Sequence, residues 1–93
     1  MDKTILVRLE FRLDDYVLTS KWGVFAESEA RNAITSLAQT LPALQSLEFN
    51  GVEIDASVLG KGQLKFQLAR FTPDIYEEVI IGQNPCLYIS QSQ

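Results

Sequence analysis

Five apolar residues at every second position of Thr4–Leu13 (TILVRLEFRL) most constrain the fold of this chain. Successive side chains of a strand point to opposite faces, so a period of two predicts a strand with two different faces. A helix would scatter the same residues around its circumference. The charged parity carries Arg8, Glu10 and Arg12, and the apolar parity carries Ile5, Val7, Leu9, Phe11 and Leu13. We expect a half-buried strand that forms the core with its apolar face.

A second strand is predicted directly after a turn at Asp14-Asp15, since aspartate tolerates unusual backbone dihedrals. The segment from Tyr16 to Trp22 is rich in β-branched and aromatic residues, which favours a strand antiparallel to the first. Gly23 is expected to end it.

The period then changes to three and four residues, which predicts an amphipathic helix from Ala26 to Leu41. Ser28 is a candidate N-cap, and Pro42 is expected to stop the helix. The alanines of the apolar stripe allow close packing against a sheet. They are Ala26, Ala30, Ala33 and Ala38.

A β-hairpin is predicted around Asn50-Gly51, because Asn-Gly accepts the positive φ angles of a type I′ turn. The flanking strands are expected at about Ser46–Phe49 and Val52–Ile54, with their apolar residues on one face. The next residues, 55–59, fit either a continuation of the strand or a short helical turn.

The last third of the sequence predicts a strand, a helix and a final strand. In Gln63–Phe71, Leu64, Phe66 and Leu68 are expected to point inward, whereas Lys65 and Gln67 point outward. Thr72-Pro73-Asp74 resembles a helix start, with a hydroxyl cap, a proline at the first position and an acid in the first turn. That helix is expected to end at Gly82, and a short strand is expected at 86–90.

These elements, in the order β-β-α-β-β-β-α-β, predict one α+β domain over residues 1–93. We expect a two-layer sandwich, with a mainly antiparallel sheet of about five to six strands and two helices on one face. Alternating strands require a sheet with a polar far side, which antiparallel sheets permit.

Charge narrows the classes of partner. The 93 residues have a formal net charge of −4, and their cations are dispersed along the chain. Nucleic acids and anionic membrane surfaces are bound by clustered cations, so neither is an expected partner. No apolar run approaches the ~20 residues of a membrane span, and no signal-peptide core is present, so we expect a cytoplasmic location.

The residue types argue against catalysis. The chain has no histidine, which is the usual general base and the commonest metal ligand. The glycines form no phosphate-binding pattern, and the carboxylates show no calcium-loop spacing. The single cysteine, Cys86, is interpreted as a small buried hydrophobe rather than a reactive thiol. We therefore expect no catalytic residue, no metal, no cofactor and no enzyme activity.

Protein binding is the remaining role that the side chains favour. The outward parity of the first strand, together with Lys65, presents both signs of charge on a flat sheet face, and aromatic side chains near it are typical interface anchors. The candidate binding residues are Arg8, Glu10, Arg12, Tyr16, Trp22 and Lys65. An ordinary solvated face, and aromatics that close the core, are the simpler interpretation.

We therefore expect a small protein-interaction domain, such as an inhibitor, an immunity-type protein or an accessory subunit. Its partner is expected to be another protein or a second copy of the chain. The alternative is a homodimeric small-molecule-binding protein or minor enzyme with a pocket between sheet and helices.

Overall fold

β1 (Thr4–Leu13) is the central strand of an antiparallel sheet in the computed structural model, which describes residues 2–71 and 74–82. β2 (Tyr16–Thr19) and β3 (Gly23–Ala26) pair with successive halves of one edge of β1. β6 (Gln63–Arg70) pairs with the other edge, and β7 (Asp74–Gly82) extends the sheet beyond β6. The domain is α+β, as predicted.

The remaining elements cover one face of this sheet. They are α1 (Glu27–Thr40), a 3₁₀ turn (Leu41–Ala43), the hairpin of β4 (Ser46–Phe49) and β5 (Val52–Asp55), and the short helix α2 (Ala56–Leu59). The hairpin is a separate two-stranded sheet. The predicted second layer of two helices is therefore a layer of one long helix, a hairpin and a single helical turn.

Two buried clusters join the layers. Residues of β1 and β6 contact α1 in the first, which comprises Ile5, Val7, Ala30, Ile34, Phe66 and Leu68. The same strands contact the hairpin and α2 in the second, which comprises Phe11, Phe49, Ile54, Leu59 and Leu64. The apolar parity of β1 thus forms the core along its whole length, as the alternation predicted.

Local patterns predicted several elements closely. The long helix begins and ends within one residue of its expected bounds, and the segment at 55–59 contains a helical turn. Asn50 and Gly51 have φ angles of 50° and 93°, which confirms the Asn-Gly turn. Asp14 has a φ angle of 54°, which confirms the turn after β1.

The prediction of a helix from Thr72 to Gly82 is wrong, because Asp74–Gly82 is a strand. Thr72 and Pro73, which suggested the helix start, lie outside the described residues, as does the strand predicted at 86–90. β7 pairs with β6 over Leu64–Arg70. Its β-branched and aromatic residues suit a strand, and the pairing satisfies its backbone groups in place of helical hydrogen bonds.

The predicted second strand is interrupted at residues 20–22. Gly23, which was expected to end it, instead begins a further strand. β2 stops at Thr19 and β3 starts at Gly23, so three residues (20–22) lie opposite Arg8 and Leu9 of β1. Ser20 holds this bulge: its backbone N–H donates to the Leu9 carbonyl at 2.9 Å, and its Oγ accepts from the Leu9 N–H at 2.8 Å.

Ser28 is not the N-cap of α1, which begins after Ala26. The Asp2 carboxylate instead accepts hydrogen bonds from the Ser28 backbone N–H, at 3.1 Å, and from the Ser28 hydroxyl. A residue before β1 therefore satisfies a donor of the first helical turn, which also favours a nearby negative charge.

Candidate protein-binding face

The outward parity of β1 lies on the sheet face opposite α1 and the hairpin. Register places Arg8 opposite Gln67 and Glu10 opposite Lys65, and Gln67 is in turn opposite Glu78 of β7. Directly opposed residues of antiparallel strands share a face. We call this surface the polar face: Arg8, Glu10, Arg12, Lys65, Gln67 and Glu78. Among the described residues, no element packs against it.

A chain of hydrogen bonds crosses the three strands at one end of the polar face. The Nε of Arg8 donates to Oε1 of Gln67 at 2.6 Å, and Nε2 of Gln67 donates to Oε2 of Glu78 at 2.7 Å. These bonds orient the Gln67 amide, since its oxygen accepts from a cation and its nitrogen donates to a carboxylate.

Ion pairs continue this chain towards the other end of the face. Nζ of Lys65 donates to Oε1 of Glu78 at 3.1 Å and lies 3.5 Å from Oε1 of Glu10. The second carboxylate oxygen of Glu10 lies 3.8 Å from Nη2 of Arg12. Hydrogen bonds from Gln67 and then Lys65 lower the pKa of Glu78, so this carboxylate is ionised at neutral pH.

The centre of the polar face is screened from water. Glu10 is only 6% exposed and Gln67 only 4% exposed. Oε1 of Glu10 is the one buried side-chain polar atom in the described ranges that has no hydrogen bond. Its nearest cation is the ammonium of Lys65, so the Glu10 charge is compensated electrostatically rather than by a short hydrogen bond.

Trp22 joins the polar face through the bulge between β2 and β3. The guanidinium carbon of Arg8 lies 4.5 Å from the centre of the Trp22 ring, a cation–π arrangement. Arg8 is therefore held on one side by an aromatic ring and on another by the Gln67 amide.

Exposed apolar side chains border the charged centre. By register, Val17 of β2 and Val24 of β3 share the face, as do Ile75 and Ile80 of β7. Val24 is 63% exposed and Ile80 is 52% exposed. The polar face thus offers charged groups at its centre and apolar contacts at two margins, a mixture typical of protein–protein interfaces.

The structure places five of the six candidate residues together. Arg8, Glu10, Arg12, Trp22 and Lys65 lie on the polar face. Tyr16 is exposed but pairs with Leu13, whose parity is that of the core, so it lies at the margin of the opposite face.

Sequence reasoning left Gln67 and Glu78 out of the candidate site. Gln67 has the parity of Lys65, and this shared parity was the available signal. Glu78 gave no such signal, because its segment resembled a helix and its neighbours in the fold come from β6.

A shallow crevice lies on the opposite side of β1, beside the bulge. Its volume is about 200 Å³, and residues of the bulge and of β3 are among those that line it. The Phe25 ring lies across Gly23, where an added Cβ would come within 2.6 Å of Phe25 Cε1. The apolar wall consists of Val7, Leu9, Phe25, Ala30, Ala33 and Phe66.

The carboxylates do not form a metal centre in the described part of the chain. No three of them converge there in a way that would hold an ion. Glu48 instead accepts a hydrogen bond from the Gly51 N–H, and Glu53 accepts one from the Ser46 hydroxyl. Cys86 lies outside the described residues.

Comparison with models of protein families, with curated proteins and with solved structures gives no significant match for this chain. Within residues 2–71 and 74–82, no helix has the length and apolar character needed to cross a membrane.

Proposed function

We propose that this protein acts by binding another protein through the polar face, as an inhibitor, an immunity-type protein or an accessory subunit. The observation that carries this proposal is the connected set of charged and amide side chains on a sheet face against which no described element packs.

These side chains are already held in defined conformations, which favours binding to a partner over simple solvation. Long charged side chains normally lose rotamer freedom when a partner fixes them, and that loss weakens association. Here Arg8, Lys65 and Gln67 are already held by contacts within the sheet. The exposed valines and isoleucines at the margins supply apolar area for a partner to cover.

Paired baits in an affinity capture test the proposal. The bait variant Arg12→Ser with Val24→Glu changes two exposed positions of the polar face. Its control, Lys61→Ser with Ser36→Glu, makes the same change in charge at exposed positions elsewhere. We expect wild type and control to capture the same partner in similar amounts. The amount captured by the face variant should be at least tenfold lower. Equal capture by all three baits contradicts the proposal.

The crevice beside the bulge favours a second candidate function, the binding of a small apolar ligand. A dry apolar cavity of about 150 Å³ is large enough for a molecule such as benzene, and this crevice is of comparable volume. A ligand that binds only the folded state raises the melting temperature.

Thermal-shift screening with small aromatic and aliphatic metabolites tests this second function. Ala33→Phe would fill the crevice, whereas Thr35→Phe adds the same ring to α1 away from it. We expect a ligand that stabilises wild type and Thr35→Phe but not Ala33→Phe. A flat response from wild type excludes binding of these metabolite classes.

A further inference from the structure

We propose that Arg8 is the anchor of the polar face and binds a carboxylate of an acidic segment in the partner. This inference rests on the proposed function, because it names the chemistry that the polar face recognises. The arrangement of Trp22, Arg8 and Gln67 is the observation that supports it.

The guanidinium of Arg8 is held by two neighbouring side chains, and the residue as a whole is only partly buried. Its Nε is used by Gln67, and its plane is near the Trp22 ring. No described residue forms a hydrogen bond or an ion pair with its two terminal nitrogens, which carry four N–H donors. Two parallel N–H donors on adjacent nitrogens match the two oxygens of a carboxylate.

The other cations of the polar face are less suited to this task. Lys65 already contacts both Glu10 and Glu78. Arg12 has a 51% exposed side chain with one carboxylate at 3.8 Å, and it forms no hydrogen bond with Gln63, the described residue directly opposite it on β6. Arg8 is the cation whose orientation is set by neutral groups, so its charge is not cancelled by a direct carboxylate partner.

Charge favours an acidic partner at this surface. The polar face carries three cations, Arg8, Arg12 and Lys65, against two carboxylates, Glu10 and Glu78. It is therefore net positive in a chain whose formal net charge is −4. A nucleic acid would need several clustered phosphate contacts and would be repelled by the rest of the molecule, so an acidic peptide segment is the better fit.

Selection from a displayed library of random dodecapeptides tests the inference with ligands of every side-chain chemistry. Wild-type protein is the target, and Trp22, the only tryptophan in the chain, reports binding of each synthesised peptide by its fluorescence. Amide chemical shifts then locate each peptide on the sheet.

We expect enriched peptides to contain Asp or Glu, to shift the amides of β1 and β6, and to perturb Trp22 emission. Replacing Arg8 by Lys keeps the charge but removes the planar fork, so affinity should fall about tenfold or more. Arg70→Lys makes the same exchange at an exposed arginine outside the polar face and is the matched control, so it should change affinity less than threefold. Replacing the peptide's acidic residue by its amide should reproduce the loss in wild type and add little in Arg8→Lys.

Four results would overturn the inference. Peptides that bind the polar face without an acidic residue, or that bind Arg8→Lys as tightly as wild type, contradict the anchor but leave the proposed function standing. Failure to enrich any peptide at the polar face contradicts the anchor, while the bait comparison above still decides the proposed function. Tighter binding of a single-stranded oligonucleotide than of any peptide would replace the acidic protein by a nucleic acid.

Discussion

At the residue scale, Gly62 is a position where the surrounding atoms leave no room for a Cβ. It is buried where the loop before β6 passes the end of β1. A Cβ at this position would lie 2.5 Å from the Arg12 carbonyl oxygen and 2.7 Å from the Phe11 ring. Because the Arg12 carbonyl oxygen belongs to the backbone of the central strand, it cannot move aside without a cost in free energy.

We expect Gly62→Ala to lower the free energy of unfolding by about 2–3 kcal/mol through overpacking. Gly60→Ala is the control, since its Cβ would meet only the carbonyl oxygens of Ala56 and Ser57, at ordinary distances of 3.5 and 4.0 Å. Urea denaturation of the two variants measures the difference. Equal stabilities would show that the loop shifts to accept the methyl group.

Asp2 is the second residue whose role the packing reveals. Asp2→Ala removes the carboxylate that accepts from the Ser28 N–H, so stability should fall by about 1 kcal/mol, as for other N-terminal caps. Asp55→Ala is the control, because Asp55 precedes α2 without making a side-chain cap hydrogen bond. Thermal melts compare the two. A smaller effect at Asp2 than at Asp55 would contradict the cap.

At the element scale, an ion pair ties β7 to α1. The two terminal nitrogens of Arg31 donate to the two carboxylate oxygens of Glu77 at 2.7 and 2.8 Å. This bond lowers the pKa of Glu77 below its ordinary value of 4.5. β7 is therefore held on both faces, through Glu77 to the helix and through Glu78 to the polar face.

The Arg31–Glu77 pair predicts a pH-dependent coupling. A carboxylate whose pKa is lower in the folded state stabilises the fold above its unfolded pKa, and this contribution is lost as the pH falls through the folded pKa. A double-mutant cycle of Arg31→Gln and Glu77→Gln should show favourable coupling at pH 7 that weakens as the pH is lowered below 4.5 towards 2.5. Coupling that is unchanged at pH 2.5 would contradict this account.

The bulge between β2 and β3 is the element that brings Trp22 to Arg8. Ser20→Ala leaves the Leu9 N–H without its acceptor, so stability should fall by about 1–2 kcal/mol. The Trp22 emission should also shift, because its segment loses the contact that positions it. Ser57→Ala, at an exposed position of α2, should do neither. An unchanged spectrum in Ser20→Ala would show that the bulge does not depend on this hydroxyl.

At the scale of the whole molecule, the two core clusters are continuous. β1 and β6 run through both, and Leu9 and Ile81 contact each of them. A substitution in the hairpin half should therefore destabilise the helix half equally, since cooperative units follow contiguous packing.

Ile54→Val should lower stability by about 0.5–1.5 kcal/mol. The loss should be the same when unfolding is followed by Trp22 fluorescence, which reports on the β1–β3 region, and by far-ultraviolet circular dichroism. Transitions that separate in the variant would show that the hairpin half unfolds independently.

The sequence by itself determined the elements whose local pattern has a single solution. The alternation in β1 specified which side chains form the core, the three- and four-residue spacing specified α1, and Asn50-Gly51 specified the hairpin turn. In each, the pattern of neighbouring residues is enough to indicate the element and its buried face, although distant segments complete the packing.

Only the tertiary structure decided the rest. Residues 74–82 carry both helical cues and strand-forming side chains, and pairing with β6 selects the strand. The bulge at residues 20–22, the cap from Asp2 and the contacts of Gln67 with Arg8 and Glu78 depend on how separate segments align. The charged parity of β1 is readable in the sequence alone. Its organisation around Arg8 follows from backbone pairing between strands far apart in sequence, which periodicity does not encode.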